Sequence, residues 1–189
     1  MPGVLKLEGT NIATGDGNGA VTLSSGINFP TGHMISFATG TLTRGSDVAI
    51  GASDYHLTDL SCDLVTTSTN NKIVVHIFIP DVWNLAGSGN GVHLGVRYNV
   101  GTGAFDNSAS QQLGTRKFTS AYNAYLGTSV SILTAAALTL SANVPTVNTL
   151  RLYPILLGTG SGVELMDNSH ATNDGGRNEA TIIAYEVKQ

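Results

Sequence analysis

Charge is what this sequence has least of. Only 12% of its 189 residues are Asp, Glu, Lys or Arg, about half the usual globular share. That scarcity leaves no solvated Lys/Glu faces for amphipathic helices and no run of like charge to act as a tail. Thirteen acidic residues stand against nine basic ones, for a formal net charge of −4, so a nucleic-acid partner is not expected. A surface so poor in charge suits packing against copies of itself or against a larger assembly. Cysteine occurs once, at Cys62, which excludes an intrachain disulfide. Its place between Leu60 and Leu64 reads as a small buried core thiol. No apolar stretch approaches the ~18 residues of a membrane span, so membrane insertion is not expected. The opening Met1 to Thr10 lacks the apolar region of a secretory signal, which points to folding in a reducing, soluble compartment.

Gly, Ser, Thr and Asn supply the missing polarity and make up about two-fifths of the chain. These residues disfavour helix interiors and favour turns, and Thr also suits a pleated surface. Short extended segments therefore alternate with Gly/Asn turns such as Gly15-Asp-Gly-Asn-Gly19 and Asn173-Asp-Gly-Gly176. From His56 to Thr66 the pattern alternates, placing Leu60, Cys62 and Leu64 opposite Asp59, Ser61 and Asp63. Lys72 to Ile79 is apolar on both faces, the mark of a strand covered on both sides, and Pro80 is expected to stop it. Val92, Leu94, Val96 and Tyr98 share one face. Ala136, Leu138 and Leu140 oppose Ala137, Thr139 and Ser141, while Leu150, Leu152 and Leu156 point inward and Arg151 and Tyr153 outward. A last strand spans Ala180 to Val187. Gly101 to Gly127 reads as an excursion from the sheet, with Asn107 to Leu113 either a short helix or part of a long loop. The resulting ten to twelve short strands without αβ alternation predict an all-β, antiparallel sandwich of the jelly-roll type. Residues 1–30 read as N-terminal strands or a docking arm, and 31–189 as the sandwich.

Chemistry finds little support. There is no G-x-S-x-G elbow, Walker A sequence or G-x-G-x-x-G junction, so no catalytic residue and no cofactor is expected. No two of His33, His56, His76, His93 and His170 lie within five residues, and no metal site is assigned. His76 reads as a core or subunit-interface histidine. Gly15 to Gly19 lacks the later Glu of a calcium loop. Asp59 and Asp63 stand about 13 Å apart along a strand, too far for a glycosidase pair, and are expected to be solvated. The remaining candidates are aromatic: Trp83 beside a Gly-rich turn, and Tyr122 and Tyr125 in the central excursion. Rings in such places stack on sugars or dock on proteins; Trp83 equally reads as a plug at the end of the sandwich.

Leu57-Thr-Asp-Leu-Ser61, followed by Thr66-Thr-Ser-Thr-Asn-Asn-Lys-Ile-Val-Val75, resembles a motif of tail-fibre and related virion proteins of marine and freshwater bacteriophages. Gly95-Val-Arg-Tyr98, the closing Thr181-Ile-Ile-Ala-Tyr-Glu-Val187 and the opening Gly19-Ala-Val-Thr-Leu-Ser-Ser-Gly-Ile-Asn-Phe-Pro30 are similar to strands of such chains. The resemblance covers about half of the sequence, and 101–144 departs from it. It implies a jelly-roll domain, homotrimeric assembly and a place on the virion after synthesis in the host cytoplasm. Other phage structural proteins, and a host surface glycan or receptor, would be its partners. The leading expectation is thus a non-enzymatic homotrimeric fibre or fibre tip. A capsid decoration protein docked through 1–30, and a carbohydrate-binding module using Trp83, are the alternatives.

Overall fold

The computed structural model describes residues 4–7, 10–15, 21–23, 30–42, 48–50, 53–84, 92–119, 134–158, 163–165 and 179–189. Every regular element among them is a strand. Val4–Leu7 (β1), Thr10–Gly15 (β2) and Val21–Leu23 (β3) make a three-stranded sheet of their own. The remaining strands are Met34–Leu42 (β4), Val48–Ile50 (β5), Tyr55–His56 (β6), Cys62–Val65 (β7), Lys72–Asn84 (β8), Val92–Val100 (β9), Gln111–Thr119 (β10), Thr134–Asn143 (β11), Thr149–Gly158 (β12), Val163–Leu165 (β13) and Ala180–Val187 (β14). They form one six-stranded and one five-stranded antiparallel sheet.

The eight longer strands pair as a nested hairpin. β4 pairs with β14, β7 with β12, β8 with β11 and β9 with β10. Folding that ribbon over on itself adds the pairs β14–β8 and β12–β9. The orders β4-β14-β8-β11 and β7-β12-β9-β10 that result are those of a jelly roll. The core lies between these sheets. Ile73, Val75, Ile77, Leu138, Leu140 and Ile182 from the six-stranded sheet meet Cys62, Leu64, Leu94, Val96, Leu150 and Leu152 from the five-stranded one. All alternate along their strands, as expected for Cys62, Leu64, Leu94, Val96, Leu138, Leu140, Leu150 and Leu152, and burying each Leu or Ile contributes roughly 1.5–3 kcal/mol. Cys62 lies in this core, and burial pushes its thiol pKa up to about 12, which keeps it protonated and unreactive.

Two prolines mark where pairing changes hands. β8 runs through Pro80 instead of stopping there. Its β14 partners end at Phe78, its β13 partners begin at Val82, and the β11 register shifts opposite the same point. The missing N–H thus falls in a gap of the ladder. Pro154 sits mid-strand in β12, where its carbonyl accepts from Leu57 N at 3.0 Å. An antiparallel residue directs its N and C=O to the same side, so Pro154 has no donor to offer that edge. There the neighbouring chain leaves the sheet between β6 and β7. The single strand expected from His56 to Thr66 is therefore two short ones, and Leu57 and Leu60 in the break are fully buried in the core. Between Asp106 and Ser110 the chain makes a turn with no helix, then enters β10. The loop passing 57–61 also presses on β4, because a Cβ placed on Gly40 would lie 1.9 Å from the Ser61 carbonyl oxygen.

At one end of the sandwich two connections cross between the sheets, 66–71 from β7 to β8 and 144–148 from β11 to β12. The Thr66 hydroxyl shares its hydrogen between the carbonyls of Thr146 (2.7 Å) and Asn148 (2.8 Å) and accepts from Asn148 N. Asn71 O accepts from Val144 N. Glu186 of β14, buried on the inner face, accepts from Thr67 N (2.9 Å), the Thr67 hydroxyl (3.0 Å), Ser68 N (3.2 Å) and Asn71 Nδ2 (2.7 Å). A buried carboxylate is tolerated only when its acceptor sites are filled in this way.

Gly40→Ala is expected to lower stability by about 3 kcal/mol, since backbone must move to admit one methyl group. Glu186→Ala should cost roughly 2–4 kcal/mol by stranding several donors. Urea unfolding of both variants checks these values; a loss below about 0.5 kcal/mol would contradict the packing or the clasp.

Candidate functional site

The two outer faces of the sandwich differ in kind. On the five-stranded sheet the centre of the outer face is covered by the chain itself, while Val65 at its edge strand is exposed. Tyr153 points away from the core yet is fully buried. Phe105, from the 101–110 loop, meets it edge-on at 5.0 Å between ring centroids, and His56 lies 5.8 Å away with Nδ1 at 3.4 Å from the phenol oxygen. Two ion pairs, Arg151–Asp63 and Arg116–Asp54, lie on this face. Arg151 grips Asp63 through Nε (2.7 Å) and Nη2 (2.9 Å), donates to Gly103 O and lies over the Phe105 ring. Arg116 grips Asp54 with its two terminal nitrogens, Nη1 and Nη2, and Arg97 donates to the Ser110 hydroxyl at 2.8 Å. Asp63, expected to be solvated, is thus an ion-pair partner. The Arg116 and Arg151 hydrogen bonds hold the Asp54 and Asp63 carboxyls below the usual range. Burial, and then the positive charge of Arg97, hold the His56 imidazole below its ordinary value.

The six-stranded sheet presents the opposite chemistry. Around His76 its registers set three outward rows across β4, β14, β8 and β11: Phe37–Tyr185–Val74–Ser141, Thr39–Ile183–His76–Thr139 and Thr41–Thr181–Phe78–Ala137. No Asp, Glu, Lys or Arg occupies these three; the next row, Met34–Val187–Lys72–Asn143, brings Lys72 to the edge of the face. Phe37 is 58% exposed and Phe78 46%. His76 sits at the centre, with Nδ1 at 3.0 Å from the Thr139 hydroxyl and Nε2 at 3.1 Å from the Tyr185 hydroxyl. Its ring stacks on Tyr185 at 5.6 Å and 28°. Beside it opens a groove of about 280 Å³ lined by His76, Phe78, Ala137, Thr139, Thr181 and Ile183. Apolar rings and hydroxyls alternate over these three uncharged rows. Among the described residues, no three His, Cys, Asp or Glu side chains converge as a metal-binding group.

The aromatic residues singled out from sequence do not assemble here. Trp83 lies in β8 opposite Glu164 of β13; its side chain, like Tyr122 and Tyr125 altogether, lies outside the described residues. Of the residues that do form the face, His76 alone stands out in the sequence, as a core or subunit-interface histidine, and it lies on the outer face and not in the core; Phe37, Phe78, Thr139 and Tyr185 carry no such signal. The available signal was the Lys72 to Ile79 run. Its double-sided apolarity implied cover on both sides, whereas one side is the core and the other is this face, with Phe78 about half exposed.

No protein-family model matches the chain, and no curated protein matches it. Among solved structures it is similar to the CBM22-1 xylan-binding domain of Paenibacillus barcinonensis Xyn10C, at 13% identity and a TM-score of 0.35, over 86% of this chain and 99% of that one. It is also similar to a chain of the infectious bursal disease virus Gx strain, at 12% identity and a TM-score of 0.22, over all of this chain and 42% of that one. Likenesses this distant carry no functional argument, and the reading below rests on the site.

The shifted groups fix how stability responds to acid. His56 binds its proton more weakly folded than unfolded, so stability falls as pH drops below about 6.5, where the unfolded chain takes up the proton first. Asp54 and Asp63 contribute stability above about pH 4 that is lost as pH falls through their lowered values. Urea midpoints at about pH 7.5 and about pH 5.5 should therefore differ in the native protein. In His56→Gln the difference should shrink; an unchanged difference would remove His56 as its source.

Proposed function

We propose that this chain is a non-enzymatic structural protein of a bacteriophage particle, acting as a homotrimeric fibre or as the tip that contacts the host. The observation that carries this reading is the uncharged outer face around His76, with Phe37 and Phe78 exposed on it. A monomer in solution seldom leaves aromatic rings on a sheet face so poor in charge unless that surface meets something. The jelly-roll topology agrees with the virion-protein resemblance of Leu57 to Val75 and of the final strand. On the other face Asp54, Asp63, Arg116 and Arg151 are consumed in two ion pairs, which suits a scaffold more than a reaction centre.

A second reading, a decoration protein on the capsid, draws on residues 4–23, whose three strands pair only with one another among the described residues. In that case 1–30 is the docking arm. Labelled antibody against the chain, viewed on intact particles by electron microscopy, separates the two: a few copies at fibre ends support the first, and a regular array on the head the second. Sedimentation at micromolar concentration is expected to give a trimer. A stable monomer, with no label on particles, overturns both.

A further inference from the structure

The groove beside His76 holds more hydrogen-bonding capacity than the protein uses. In the neutral imidazole one nitrogen donates and the other accepts. Whichever tautomer is present, one of the Thr139 and Tyr185 hydroxyls receives the ring N–H and keeps its own hydrogen. The other spends its hydrogen on the ring and keeps its lone pairs. The trio therefore carries a spare donor on one side of the imidazole and a spare acceptor on the other, with His76 stacked on Tyr185. Phe78 and Ile183 supply apolar walls on either side, and Thr181 adds a further hydroxyl.

We infer that this groove binds a neutral saccharide, its hydroxyl pair on the His76–Thr139–Tyr185 trio and its C–H face against Phe78. Three features select that ligand. Pyranose and furanose rings combine an apolar face with several hydroxyls around the ring, each of which donates and accepts, so separate hydroxyls of one sugar meet the donor and the acceptor that flank the imidazole. The groove volume, about 280 Å³, is at the lower edge of the roughly 300–1,000 Å³ of small-molecule sites and suits one or two sugar units. No carboxylate or guanidinium lines it; at its rim the Lys117 ammonium donates to the Thr139 carbonyl at 3.1 Å. A second copy of the chain pressing an apolar surface onto the groove would instead bury the trio's spare donor and acceptor without partners, which is unfavourable. The inference rests on the proposed host-contacting role only for the ligand's source; binding itself is a property of the isolated chain.

The test is titration of the full-length, isotopically labelled protein with neutral hexose and pentose oligosaccharides, read by amide NMR shifts, with uronic-acid oligosaccharides run in parallel. Shifts from at least one neutral series should centre on Phe78, Thr139 and Ile183. Phe78→Ala, Thr139→Val and Tyr185→Phe should each weaken binding about tenfold. Asp63→Asn, on the opposite face, should leave it unchanged. Phe78 and Thr139 line the groove and Tyr185 stands beside it on the same outer face, and the native spectrum of each variant shows that it folds. No response to any neutral series, a response to acidic sugars alone, or shifts that follow protein concentration instead of saccharide overturns the inference; the last result would assign the face to a second copy. Saccharide binding without label on phage particles would sink the virion reading and leave this one standing, and the converse result would do the reverse.

Discussion

At the crossover end of the sandwich, a buried carboxylate has to find its donors before either sheet can close. Glu186 finds them on the 66–71 turn, and Thr66 and Asn71 of the same turn bind the second crossing at 144–148. The first passage between sheets, the second passage and the last strand are thereby held together. The parity of β14 follows from it. A one-residue slip would turn Glu186 outward and drive Tyr185 into the core. With Glu186 inside, Tyr185, Ile183 and Thr181 must face out, where Tyr185 reaches His76. The outer face is in this sense set by a carboxylate on the opposite side of the sheet.

The unequal distribution of charge follows a related logic. A sandwich has two outer faces, and a chain with so few ionic residues cannot solvate both with them. Here Arg97, Arg116 and Arg151 cover one face together with Asp54, Asp63 and the Phe105 loop, and Tyr153 is buried beneath them. The other face receives Thr, Ser, His and aromatic residues. Guanidinium groups paired bidentately act as a lid over the covered sheet, because their planar forks hold geometry as well as charge.

Much of the inward pattern was legible from alternation, because burial imposes a period of two whatever partner a strand chooses. Leu60, Cys62 and Leu64, the Ala136–Leu140 run and the inward leucines of β12 all follow it. What failed depended on partners distant in the chain. Pro80 breaks a ladder only if a neighbour needs its N–H, and the change from β14 to β13 removes that need. Tyr153 alternates as a solvent-facing residue but is buried, because Phe105 and His56 reach it from distant turns. The donors of Glu186 lie 115 to 119 residues away, so nothing near it announces a buried carboxylate. The His76 groove was hidden for the same reason. Its histidine, threonine and tyrosine come from three strands, and only their register brings them together, whereas Trp83 drew attention as a conspicuous ring beside a turn.

The pairing of β4 with β14 has a mechanical side. Gly32 N donates to Lys188 O at 2.7 Å and Lys188 N to His33 O at 3.0 Å, so both ends of the sandwich leave from one corner on adjacent antiparallel strands. Tension applied between residues 30 and 189 would peel those strands apart bond by bond, like a zipper, with no sharing of load among the bonds. Pulled from one side only, with the outer face adhering to a surface, the same strands are loaded together with the sheet behind them. The domain is thus weak as a link in a stretched chain and strong as a pendant hung from its corner.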